Sequence, residues 1–191
     1  MAAADAMLRL LDDPQAAAAW GREAGLDDPP AAHRAFTALA SLGIPFDLLA
    51  AIVERLHGLL PTAADPDRVL ADVERFFAAV RSPLSTAALC ERDPQALQTL
   101  VKIFSASPYL AEIVIGDPES WEKVRLGQGR PDKRETVAAA LKAEVTAVSD
   151  PADVMRALRR FKRRETLRIA YGDVVGGQRL ETVAAQISHV L

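Results

Sequence analysis

Residues 156–173, Arg-Ala-Leu-Arg-Arg-Phe-Lys-Arg-Arg-Glu-Thr-Leu-Arg-Ile-Ala-Tyr-Gly-Asp, hold seven cations and two anions in an otherwise acidic chain. Guanidinium groups at this density suit phosphate, nucleic acid or carboxylate partners. The segment carries +5 and the whole chain −3, so the remaining residues carry −8. A protein that binds nucleic acid generally tends to be basic as a domain, which argues against nucleic acid as a partner here. On a helix, Val154, Leu158, Phe161 and Ile169 fall on one stripe, and Leu167, Ala170 and Val174 on another. Two apolar stripes describe a helix held between neighbours. Glu165 lies inside the first stripe with Arg168 three residues on, the spacing of a structural ion pair. Arg159, Arg160, Arg163 and Arg164 are the candidate docking or phosphate contacts. Two readings stay open for them: pairing with the acidic body, or contact with a phosphate-bearing or protein partner.

Other residue types give little chemistry. His33, His57 and His189 stand far apart with no ligand spacing, so no metal site is expected. Cys90 is the single cysteine and reads as a buried structural thiol in a reducing compartment. Gly176-Gly177 could open a phosphate-cradling turn before a last helix. Transfer of a nucleotidyl group also needs carboxylates to hold magnesium, and Glu181 is the only acid beyond Gly177. The turn therefore reads as the end of one helix and the entry to the next. No catalytic, cofactor-binding or metal-binding residue is assigned.

The elements that position these residues are helices. Half of the 191 residues are hydrophobic, largely Ala and Leu, and only 5% are aromatic. That composition favours an all-α fold without a sheet, here about eight to ten short to medium helices. Eight prolines follow Asp or Ser: Pro14, Pro29, Pro66, Pro83, Pro94, Pro108, Pro118 and Pro151. Asp and Ser cap helix N-termini, and proline is at home in the first turn, so these pairs read as up to eight helix starts. A soft boundary near Leu60–Ala64 separates Ala-rich helices in residues 1–60 from a helical region over 61–191. No apolar run approaches the ~20 residues that span a bilayer, and Asp5 spoils a signal peptide. A cytoplasmic location is expected.

The basic string resembles the segment that precedes a nucleotidyltransferase domain in glutamine synthetase adenylyltransferase/adenylyl-removing enzymes. The matching positions are Leu158, Arg159, Phe161, Glu165, Leu167, Arg168, Ile169, Ala170 and Asp173. Ser107, Leu110, Pro118 and Glu119 resemble a second family stretch, and Val73, Glu74, Arg75 and Phe76 a third. The likeness covers about residues 64–191. The family continues into a Gly-Gly-Arg-Glu-Leu turn and an Asp-x-Asp pair, whereas Gly176-Gly177-Gln178-Arg179-Leu180 has no acidic pair after it. The resemblance thus implies a truncated, non-catalytic N-terminal scaffold. Its parent would use ATP and magnesium to add or remove AMP on glutamine synthetase, under PII-type control of nitrogen assimilation. The adjoining nucleotidyltransferase domain is the nearest implied partner, with the Arg156–Asp173 helix as part of its docking surface. The alternative is a stand-alone helical module whose basic helix contacts phosphate, nucleic acid or a protein.

Overall fold

The structure, a computed structural model, describes residues 2–190. Twelve α-helices and no strand lie among them. They are α1 Ala2–Asp12, α2 Pro14–Glu23, α3 Ala31–Ser41, α4 Phe46–Leu59, α5 Pro66–Ala79, α6 Pro83–Arg92, α7 Pro94–Ala106, α8 Pro108–Gly116, α9 Pro118–Gly127, α10 Arg134–Thr146, α11 Pro151–Val174 and α12 Leu180–Val190. A 3-10 turn, Leu60–Thr62, follows α4.

Seven of the eight Asp-Pro and Ser-Pro pairs open a helix. Asp13, Asp65, Ser82, Asp93 and Asp150 each accept a hydrogen bond from a first-turn N–H, as N-caps do. Asp28-Pro29 is the exception, because α3 begins only at Ala31. There the Asp67 carboxylate takes the N–H of Asp27 at 2.7 Å and of Asp28 at 3.0 Å, which holds the segment as a loop. The helix count exceeds the expected eight to ten because the first 60 residues supply four helices, three of them without an Asp-Pro or Ser-Pro start.

The chain divides into two compact units, Met1–Pro118 and Glu119–Leu191, so Leu60–Ala64 lies inside the first unit. In that unit α5 packs on α3, α7 and α8, while α1 lies along α4. Phe36, Leu49, Leu56, Phe76, Phe77 and Phe104 are fully buried. The Phe76 ring meets Phe77 edge-on at 5.9 Å and Phe104 at 6.3 Å between centroids, a favoured aromatic geometry. Cys90 is fully buried. Among the described residues of this unit, Asp72 is the buried charged side chain. Asp72 on α5 receives Arg68 at 3.3 Å and Arg75 at 3.1 Å, and Arg75 reaches Glu112 on α8 at 2.7 Å. Burial pushes the Asp72 carboxyl above its ordinary value, against the opposing pull of Arg75 and Arg68. The hydrogen bond from Arg75 holds the Glu112 carboxyl below its ordinary value.

In the second unit α11 packs against both α10 and α12, and α10 also touches α12. Phe161, Leu167, Ile169 and Tyr171 of α11 are buried, with Val137 of α10 and Val183 of α12. The helix ends where expected. Gly177 takes φ +60, and the N–H groups of Gly176 and Gln178 turn back to the Tyr171 and Gly172 carbonyls at 3.1 and 3.0 Å. A glycine at the left-handed position terminates a helix this way without a Cβ penalty.

Candidate functional site

The basic helix is two-sided. Arg168 projects inward and its side chain is only 12% exposed, beside Glu165 at 15%. One oxygen of Glu165 accepts from Arg168 Nε at 3.0 Å and from Nη2 at 2.8 Å. The Arg168 Nη1 group donates to the Arg130 carbonyl at 2.8 Å and to Gln186 Oε1. Asp132 stands 3.6 Å from Arg168 Nε. Gln186, 2% exposed on α12, donates in turn to Gln178 Oε1 at 3.2 Å, and Gln178 donates to the Gly129 carbonyl at 2.8 Å. One guanidinium therefore ties together α11, α12, the turn between them and the loop after α9. Its fixed planar fork of donors makes three such acceptors possible at once, which an ammonium on a flexible stem would not match.

The loop comes this close because it carries glycine. Gly129 has φ +60, and a Cβ there would lie 2.6 Å from the Gly172 backbone nitrogen. Two glycine backbones thus meet where α11 and the 127–133 loop cross. Next to this crossing is a cavity of about 360 Å³, lined in part by Lys123, Arg130, Asp132, Arg164, Glu165 and Arg168.

The other basic residues go elsewhere. Arg164 is half-buried, paired with Glu144 on α10 and stacked 5.7 Å from the Phe161 ring centroid. It is turned into the unit, unlike the other three arginines proposed as contacts. Arg159, Arg160 and Arg163 are exposed, and none makes an ion pair among the described residues. Arg156 pairs with Asp153 on its own helix. Glu165 and Arg168 are thus brought together with Gln178 and Gln186, while Arg159, Arg160 and Arg163 stay outside that group. Sequence reasoning passed over Gln178, Gln186, Gly129 and Glu144. Gln186 alone left a trace, as a polar residue on the stripe of Val183 and Val190.

Chemically, this arrangement positions backbone and helices. Among the described residues no group of three or more His, Cys, Asp or Glu side chains converges as ligands for a metal ion. The acids nearest the cavity, Glu165 and Asp132, already face Arg168.

A family model described as glutamate-ammonia ligase adenylyltransferase matches residues 97–191, which include α11, its glycine turn and α12. The chain belongs to this family. Proteins named bifunctional glutamine synthetase adenylyltransferase/adenylyl-removing enzyme are similar to it in several bacteria. The one from Corynebacterium efficiens is 28% identical over 171 residues, 87% of this chain and 16% of its own length. The one from Thioalkalivibrio sulfidiphilus is 29% identical over 165 residues, 81% of this chain and 17% of its own. The one from Pseudomonas aeruginosa is 30% identical over 166 residues, 84% of this chain and 16% of its own. The chain thus spans about a sixth of the length of these adenylyltransferases. Coverage of 87% also carries the likeness well into residues 1–60, beyond the 64–191 span that the motifs alone suggested. No solved structure matches the chain. No described helix is long and apolar enough to cross a membrane.

Proposed function

We propose that these residues form a non-catalytic helical scaffold of an enzyme that adds AMP to glutamine synthetase and removes it. One observation carries the reading. The charged and amide groups that meet between α11, α12 and the 127–133 loop are spent on one another: Arg168 on Glu165, Gln186 and the Arg130 carbonyl, and Gln178 on the Gly129 carbonyl. Side chains committed in this way fix helices relative to each other and are not themselves free to act on a reacting atom. ATP and magnesium would serve a nucleotidyltransferase domain that this stretch adjoins. Glutamine synthetase and a PII-type protein would be partners of the whole cytoplasmic enzyme, in the control of nitrogen assimilation.

The test is direct. The purified chain is incubated with unmodified glutamine synthetase, magnesium and ATP radiolabelled on its α-phosphate, beside a full-length relative as positive control. The relative labels glutamine synthetase and the chain alone does not. Label transferred by the chain alone would overturn the scaffold role.

A second reading, a helical binding module, is favoured by the exposed and unpaired Arg159, Arg160 and Arg163. If nucleic-acid phosphates were the target, log affinity would fall with log salt at a slope near −0.9 per phosphate neutralised on duplex DNA. A gel shift at low salt measures this.

A further inference from the structure

Seven cations line the basic stretch, and three of them, Arg156, Arg164 and Arg168, are paired with carboxylates inside the second unit. Of the four unpaired ones, Arg160 lies on another face of α11 and the other three share a row. Arg159 is one helical turn from Lys162 and Arg163, Lys162 is one turn from Thr166, and Thr166 one turn from Ile169 and Ala170. Arg159, Lys162 and Arg163 thus continue the row of α11 that forms one wall of a groove. Lys162, Thr166, Ile169 and Ala170 line the groove on that side, and Val183 and Ile187 of α12 line the other, around a volume of about 340 Å³. Ile187 is 45% exposed, a large aliphatic side chain left uncovered on the groove wall. Asp173 closes the far end. The face therefore has an aliphatic floor, Lys162 at one end with Arg159 and Arg163 within one turn of it on the same helix, and a single anion at the other end.

We propose that this face docks an amphipathic α-helix of a partner domain, one that carries carboxylates beside its apolar stripe. Helices seat in grooves through apolar anchors spaced at i, i+3 or i+4 and i+7. A volume of about 340 Å³ suits a few aliphatic side chains of that kind. The cations at the α11 N-terminal side select carboxylates on the incoming helix, and the asymmetry between Arg159, Lys162 and Arg163 on one side and Asp173 on the other sets its direction. Single-stranded nucleic acid fits less well, because the groove walls carry no aromatic ring on which bases could stack. The inference goes beyond the scaffold role and is tested apart from it. AMP transfer by the chain alone would overturn the scaffold role without touching the groove, and failure at the groove leaves the scaffold role standing.

The experiment titrates the full chain into a fluorescein-labelled synthetic helix that has a Leu stripe flanked by Glu, and reads anisotropy. A counterpart with Gln in place of every Glu, a single-stranded oligonucleotide and phosphatidylserine vesicles form the other arms. The Glu peptide binds saturably, added salt weakens it, and the methyl resonances of Ile169, Val183 and Ile187 shift on binding. The Gln peptide binds about tenfold more weakly, as does the Glu peptide to a chain with Arg159→Glu and Arg163→Glu. Both arginines are exposed, so that double variant keeps its helical circular dichroism. Ile187→Asp removes binding. Absence of binding, equal binding of the two peptides, indifference to the arginine reversals, or a preference for oligonucleotide or vesicle would each overturn the proposal.

Discussion

Both units place charge among buried side chains, and they bring it there by different routes. In the first unit the cluster is almost local. Arg68, Asp72 and Arg75 follow one another at one-turn spacing on α5, and the cluster is completed from outside by the Phe104 carbonyl and Glu112. In the second unit only Glu165 and Arg168 are local. Gln186 lies 18 residues from Arg168, Arg130 lies 38 away, and Gln178 reaches a carbonyl 49 residues back. The packing differs in the same sense. The largest fully buried side chains, Phe36, Phe76, Phe77 and Phe104 among them, all belong to the first unit. There apolar burial holds the helices and the ion cluster occupies one edge of α5. Between α11, α12 and the 127–133 loop, hydrogen bonds carry more of the task of fixing relative position.

If that contrast is right, the first unit breaks most severely when apolar volume is lost. Phe76→Ala removes a fully buried ring flanked by two others and should cost about 3–5 kcal/mol, read as a shift in denaturant midpoint with no change in m. A loss below about 1 kcal/mol would mean that the aromatic cluster is dispensable. The second unit should break next most severely at Arg168. Arg168→Ala strands Glu165 and Gln186, and a cost of about 2–3 kcal/mol is expected, below that of a wholly buried pair because the side chain keeps 12% exposure. Native-state hydrogen exchange localises it: amides of α12 and of residues 127–133 should lose protection while α5 and α7 keep theirs. Arg168→Lys should recover little, since an ammonium cannot reproduce the planar fork. Unchanged exchange in α12 would dismiss the network as incidental.

This difference in range also governs how much of the molecule could be read in advance. The Asp-Pro and Ser-Pro starts were legible because capping is a contact over two or three residues, as at Asp65 and Asp150. Glu165 with Arg168 was legible for the same reason, as an acid in an apolar stripe with a cation one turn on. Asp28-Pro29 misled, because the force that holds it as a loop is Asp67, 39 or 40 residues away. The inward turn of Arg164 was hidden as well, since its partner Glu144 sits on another helix. The four helices of residues 1–60 were blurred by Ala-rich sequence, in which small side chains pack closely without a strong apolar stripe: Ala17, Ala32 and Ala35 are all buried. Gln178 had no local signature, because its role exists only once Gly129 has brought the loop against α11.

The finest test of the contrast uses pH within the first unit. Asp72 and Glu112 share the Arg75 guanidinium, yet they are displaced in opposite directions. Burial raises the Asp72 carboxyl, so the folded state binds its proton more tightly than the unfolded chain does. Its ionised form therefore works against folding at neutral pH. That penalty is relieved as pH falls through the raised folded value, and the relief is complete below the ordinary aspartate value. Glu112 is lowered by its bond from Arg75, so its contribution is favourable above the ordinary glutamate value and is lost as pH falls through the depressed folded one. Unfolding free energies of wild type, Asp72→Asn and Glu112→Gln, followed from neutral to acidic pH, separate the two. Wild type should gain stability relative to Asp72→Asn on acidification and lose it relative to Glu112→Gln. Because both carboxylates face one arginine, a shared sign would show that Arg75 sets both and that burial of Asp72 counts for little. Opposite signs would show desolvation outweighing the ion pairs at Asp72, with the apolar core of the first unit governing even the charged group placed at its edge.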